Sequence, residues 1–84
     1  MRVVYDPDFY YKLKKLDVHI RKSFKEKILL FTKNPSDPEL KNHPLKREYE
    51  GYKSINITAN WRAVYKETKI NEEMYVVQDI LYSF

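Results

Sequence analysis

Cysteine is absent from the 84-residue chain, so neither a disulfide nor thiolate chemistry is available to it. No stretch approaches the roughly 20 apolar residues that a membrane-spanning helix needs. The opening MRVVYDPDFYYKLKK also lacks the apolar run of a signal peptide. These absences predict a soluble, cytoplasmic protein with no membrane partner. Internal repeats, low-complexity tracts and linkers are missing too, so residues 1–84 are expected to form a single domain. Two histidines, without cysteine and without a close pair of ligands, argue against a structural metal site, and no cofactor is implied. Acidic residues are the minority charge, 12 against 16 basic, for a net charge of +4 and a pI near 9.2. That balance suits a polyanionic or acidic partner without choosing among RNA, DNA, ribosome and acidic protein.

What is present is enough for one modest core. The chain is 43% hydrophobic and 15% aromatic, which is not a disordered composition. A domain this small buries only about 60–65% of its unfolded surface, so a narrow stability margin is expected. MRVVY reads as a first strand. It stops at Asp6-Pro7-Asp8, where Asp6 can cap a helix, Pro7 fits the first turn and Asp8 suits the positive end of the dipole. Phe9, Leu13 and Leu16 recur at helical spacing, with Lys12, Lys14 and Lys15 on the wetter faces. Asp17 predicts a break and a second cap. Ile20, Phe24, Ile28 and Phe31 then mark a longer helix ending at Asn34-Pro35. The two helices form a hairpin whose apolar stripe needs a sheet to cover it.

Residues 34–46, with three of the four prolines, read as a loop. From Tyr52 to Thr58 the period becomes that of a strand, with Ile55 and Ile57 opposite Ser54 and Asn56. Thr58-Ala59-Asn60 predicts a tight turn, Trp61 to Lys66 a second strand, Thr68 to Glu73 another turn, and Met74 to Leu81 a third strand. Successive strands with short turns pair antiparallel. The expected fold is α+β, in the order β-α-α-β-β-β, with a helical hairpin packed on an antiparallel sheet that the first strand joins.

Within this frame, residues 43–67, HPLKREYEGYKSINITANWRAVYKE, resemble the signature of the RelE/ParE toxin superfamily of type II toxin–antitoxin systems. The pattern is closest to the RelE/YafQ-like branch of messenger-RNA interferases: His-Pro-Leu-Lys, a Gly-Tyr, a short polar–apolar strand, then Asp/Asn-Trp-Arg-x-x-Tyr. The order of elements on either side fits as well. The resemblance implies a toxin that cleaves messenger RNA on the ribosome, by attack of a ribose 2′-hydroxyl on the adjacent phosphate. Such a reaction needs a group to take the hydroxyl proton, cations for the developing phosphorane charge and a donor for the leaving oxygen.

By this resemblance Arg62 stands beside the scissile phosphate, where its planar fork would serve; on the residues alone it is a solvated strand arginine. Lys53 matches a basic residue used near the nucleophile or phosphate, or is a strand lysine in water. His43 matches the histidine of the His-Pro-Leu-Lys stretch and, as an imidazole, can act as acid or base near neutral pH; the alternative is a loop histidine without a role. Lys46 and Arg47 contact backbone phosphates or keep the loop soluble. Trp61 stacks on a base or belongs to the core, and Asn60 before it is an RNA-contact candidate. His19 reads as a solvated helix histidine.

The chain departs from the branch pattern at several points. Asn56 and Asn60 stand where the branch often has a histidine and an aspartate, and an amide cannot take a proton as a base. The tail, QDILYSF, lacks the branch's terminal histidine; Tyr82 is the remaining proton-donor candidate, and Phe84 the terminal aromatic that would stack on RNA. Two other readings therefore stay open: a ParE-like toxin that inhibits DNA gyrase by contact without catalysis, and a degenerate toxin that only binds its antitoxin. The implied partners are a cognate antitoxin, the ribosome and messenger RNA, with operator DNA reached only through the antitoxin. A basic surface with an exposed sheet edge suits an acidic, partly disordered antitoxin segment.

Overall fold

A computed structural model of the chain describes residues 2–69 and 73–82. Strand β1 (Arg2–Tyr5) leads into helix α1 (Pro7–Lys14), followed by helix α2 (Val18–Lys33). Then come a short strand β2 (His43–Pro44), β3 (Lys53–Asn56), β4 (Trp61–Lys69) and β5 (Glu73–Tyr82). Two single 3-10 turns, Pro38–Leu40 and Arg47–Tyr49, flank β2.

The helix starts form as their capping residues dictate. The Asp6 carboxylate accepts from the Asp8 backbone N–H at 2.9 Å, with Pro7 in the first turn. The Asp17 carboxylate does the same for His19 at 2.8 Å and separates the two helices. Phe9, Phe24 and Phe31 are buried, and Leu13, Leu16, Ile20 and Ile28 pack against them, so the apolar stripe faces inward.

The sheet runs β1-β5-β4-β3-β2. The β2-β3-β4-β5 pairs are antiparallel, whereas β1 lies parallel to β5, Val3 opposite Tyr75 and Tyr5 opposite Val77. A parallel neighbour cannot be joined by a tight turn, and here the helical hairpin and the whole meander form the crossover. The 34–46 segment, expected as loop, contributes β2 and a 3-10 turn. Proline masks this in the sequence, yet at a sheet edge its missing N–H leaves no ladder bond unmade. Strands β4 and β5 reach Lys69 and Glu73, beyond the expected strand ends; the middle of the expected turn, 70–72, lies outside the described residues.

One face of the sheet covers the helices. Ile55, Ile57, Ala63, Tyr65, Tyr75, Val77 and Ile80 are buried in a single cluster with the helix phenylalanines. The Phe31 ring meets those of Tyr65 and Tyr75 edge-on, at 5.0 and 5.1 Å. Val77 and Ile80 are three residues apart yet both reach the core, because the register shifts between Val64–Asp79 and Tyr65–Val77 and leaves Gln78 as an extra residue. Strand alternation then sends Tyr52, Ser54, Asn56, Arg62, Val64 and Lys66 to the opposite face, on which neither α1 nor α2 packs, although Ser54 and Val64 are themselves buried there. Lys66 Nζ lies 5.7 Å from the centre of the Tyr52 ring on that face.

Candidate active site

On the uncovered face, three strands bring their side chains into two rows. His43, Ser54 and Val64 are cross-strand partners in one row, and Asn56 and Arg62 in the next. The β3–β4 connection holds this register: Ile57 N–H donates to the Trp61 carbonyl at 2.9 Å, and the Thr58 hydroxyl accepts from the Trp61 N–H at 3.2 Å. A one-residue slip would reverse both rows.

Arg62 is the centre of the arrangement. Its Nε–H donates to Ser54 Oγ at 3.0 Å, and Nη1 donates to Asn56 Oδ1 at 3.1 Å. Its Nη2 lies 3.0 Å from both the Lys41 carbonyl and His43 Nδ1. A guanidinium has five N–H bonds. Four of them have acceptors here, all uncharged, and one on Nη1 is left to point elsewhere. The cage fixes the fork's orientation without neutralising its charge. Partial burial pulls the Arg62 pKa below its ordinary value, yet an arginine stays protonated at any physiological pH.

Ser54 is 1% exposed, and Arg62 is the group that satisfies its oxygen. The Lys41 carbonyl reaches Arg62 because Lys41 sits in the left-handed region, φ 47°, after the Pro38–Leu40 turn. A lysine holds that conformation only where its surroundings fix it.

His43 has two neighbours at one nitrogen. Its Nδ1 is 2.9 Å from the Lys41 carbonyl and 3.0 Å from Arg62 Nη2. It can donate to the first or accept from the second, and the two demand opposite tautomers. With Nδ1 accepting from Arg62, Nε2 carries the proton and is a donor. With Nδ1–H turned to Lys41, Nε2 has a free lone pair and is a base.

Arg62 and His43 are thus brought together, with Asn56. Lys53 is exposed and, as the register partner of Tyr65, alternates to the helix side of the sheet. It still lines, with Lys41 and His43, a cleft of about 360 Å³ beside the 35–38 loop. Lys46 and Arg47 are exposed at the second 3-10 turn, Arg47 at φ 60°. Asn60 is exposed in the β3–β4 turn. Trp61 packs against the core cluster, its ring 5.3 Å from that of its strand partner Tyr82. Both follow Ala63 and Ile80 to the helix side, so Tyr82 is not part of the Arg62 cluster. Phe84 lies outside the described residues.

Sequence reasoning missed Ser54, the Lys41 carbonyl, Asn42 and Tyr65. Ser54 was within reach: it lies two residues before Asn56, hence on the same face and diagonal to Arg62 across the hairpin. Nothing in the sequence signals a left-handed lysine at position 41.

No family model and no curated protein sequence matches the chain. Solved structures do. A YoeB/ParE toxin from Agrobacterium tumefaciens superposes with a TM-score of 0.75 at 24% identity, covering 100% of both chains. This is the RelE/ParE toxin fold. YafQ from Escherichia coli gives a TM-score of 0.69 at 19% identity, covering 98% of this chain and 93% of that one. YoeB from Staphylococcus aureus, in complex with YefM, gives 0.72 at 19% identity, covering 100% and 98%. YoeB–YefM is a toxin–antitoxin complex, and YafQ is likewise solved with DinJ. No helix among the described residues is long and apolar enough to cross a membrane.

Proposed function

We propose that the chain is a single-domain cytoplasmic toxin of a type II toxin–antitoxin pair, and that it cleaves messenger RNA on the ribosome. The observation that carries this reading is the Arg62 cage: an un-neutralised guanidinium, locked by uncharged acceptors, with an imidazole at 3.0 Å on an open sheet face.

In the proposed reaction a scissile phosphate meets the free Nη1–H and the positive charge of Arg62. As the phosphate draws the guanidinium toward itself, Nη2 leaves His43; the imidazole gives its Nε2 proton to solvent water and takes one from water at Nδ1, and the new Nδ1–H donates to the Lys41 carbonyl. His43 Nε2 is now a base and takes the 2′-hydroxyl proton. The O2′–P bond forms, the P–O5′ bond breaks, and the departing 5′-oxygen receives a proton from the imidazolium or water. The products are a 2′,3′-cyclic phosphate and a 5′-hydroxyl. Preorganised charge of this kind is worth about 10²–10³ in rate, and a positioned proton carrier about 10²–10⁴. Lys41, Lys53, Lys46 and Arg47 add positive potential along the path of the strand.

Antitoxin binding is supported by a different surface. Between α1 and α2 lies a groove of about 710 Å³, lined by Leu13, Ile28 and Leu29 together with Lys14, Arg21, Lys22 and Lys25, and by no acidic residue. An acidic amphipathic segment fits it, apolar side down and carboxylates to the rim.

One observation favours the contact-inhibition reading, in which gyrase is the target: among the described residues, His43 is the one side chain of the Arg62 cluster suited to carry a proton. End-labelled messenger RNA, incubated with the purified chain with and without ribosomes, separates the two. Cleavage that needs ribosomes and leaves 2′,3′-cyclic ends supports the nuclease. Intact RNA with inhibited gyrase supercoiling supports the alternative.

A further inference from the structure

The segment 41–43 straddles the edge of the sheet. On the open face it offers Arg62 the Lys41 carbonyl and His43 Nδ1. On the helix face the Asn42 side chain is gripped from two sides. Tyr65 Oη–H donates to Asn42 Oδ1 at 2.9 Å, and Asn42 Nδ2 donates to the Pro35 carbonyl at 3.1 Å. Tyr65 itself is 3% exposed, its ring wedged against Phe31 and Tyr75 at 5.0 and 5.8 Å.

We propose that Tyr65 is a positioning residue: through Asn42 it anchors the 41–43 backbone to the hydrophobic core and so sets Arg62 and His43 from behind the sheet. The geometry makes the route short. Tyr65 follows Arg62 by three residues on β4, so the same strand supplies the guanidinium and the bolt for its cage. Lys41 is held in a left-handed conformation that its sequence does not favour, and Asn42 is the adjacent residue with side-chain bonds to fixed groups. Without the phenol, Asn42 Oδ1 loses its donor and the 41–43 segment is free to move away from Arg62. Burial raises the Tyr65 pKa, which keeps that donor protonated across the working pH range.

The inference rests on the ribonuclease reading for its kinetic readout alone, and a spectroscopic one stands apart from it. Tyr65→Phe removes the hydroxyl and keeps the ring; Asn42→Ala breaks the same link from its partly exposed end. Phe9→Leu serves as a control that loosens the core beside α1, remote from the loop. Each is measured for ribosome-dependent cleavage and for the ¹⁵N resonances of the Arg62 guanidinium. A caged fork rotates slowly and gives separate Nη signals.

Displacements of the order of 1 Å cost up to about 10²-fold. Tyr65→Phe and Asn42→Ala should therefore each lower kcat by about tenfold or more with KM little changed. Their double variant should be no worse than the weaker single, and the Arg62 Nη signals should collapse to an average. Phe9→Leu should leave both readouts as in the wild type. Wild-type rates and separate Nη signals in Tyr65→Phe would overturn the proposal, as would equal losses in Phe9→Leu. If the wild type cleaves no RNA, the ribonuclease reading fails, and the Arg62 signals alone decide whether Tyr65 sets the cage.

Discussion

Arg62 Nε donates to the hydroxyl of Ser54, 3.0 Å away on the neighbouring strand, and this bond aims the guanidinium along the open face of the sheet. Ser54→Ala removes the acceptor with almost no change in volume. A buried donor left without a partner costs about 1–3 kcal/mol, and because Arg62 is only half-buried the lower end applies. Urea unfolding should show an unchanged slope and a midpoint lowered by that free energy divided by the slope. Cleavage should fall further than stability does, since the fork is then steered only from its Nη side.

His43 is predicted to separate binding from chemistry. His43→Asn keeps an oxygen that can accept from Arg62 Nη2 but cannot carry a proton. Single-turnover cleavage should drop about 10²–10⁴-fold while RNA affinity stays close to that of the wild type. An equal loss in both quantities would mean that His43 only binds.

Much of this was legible in the sequence, and the exceptions have physical causes. The caps at Asp6 and Asp17 and the four apolar positions of α2 announce the helical hairpin, because capping and a 3.6-residue period are local effects. Arg62 was legible as a candidate through the Asn-Trp-Arg stretch. Its face was not, since alternation gives two answers until the hairpin register is known. Alternation placed Ser54 on the face opposite Ile55 and Ile57; that it is buried there, with its hydroxyl accepting from Arg62, depends on a strand partner eight residues away. Tyr82 read as a proton donor on the strength of its place near the chain's end, and pairing with Trp61 carries it to the other side.

Alkaline stability provides a separate test of the Tyr65 environment. Burial raises the Tyr65 pKa above 10.0, the neighbouring Glu67 charge raises it further, and the hydrogen bond to Asn42 works in the opposite direction. The unfolded chain therefore loses this proton first as pH rises. The stabilisation from burying the neutral phenol is complete below pH 10 and is lost as pH climbs toward and through the folded pKa. Thermal midpoints measured from pH 8 to 11 should fall more steeply in the wild type than in Tyr65→Phe.

The groove between the helices makes a kinetic prediction. Lys22→Glu combined with Lys25→Glu should slow association with the proposed antitoxin by about tenfold or more at low salt. Stopped-flow measurements should also show the salt dependence of association flattened. An association rate that ignores both the reversal and the salt would place the antitoxin elsewhere.

In the proposed reaction Arg62, held by its cage, is the cation on which messenger-RNA cleavage depends. This dependence is tested most directly by controlled expression of the wild type and Arg62→Ala in a bacterial host, with growth and cleavage of a reporter messenger RNA followed together. The wild type should arrest growth with codon-phased cleavage, and the variant should lose both while remaining soluble and folded. Arrest without RNA cleavage, or cleavage that survives in Arg62→Ala, would contradict the proposed reaction.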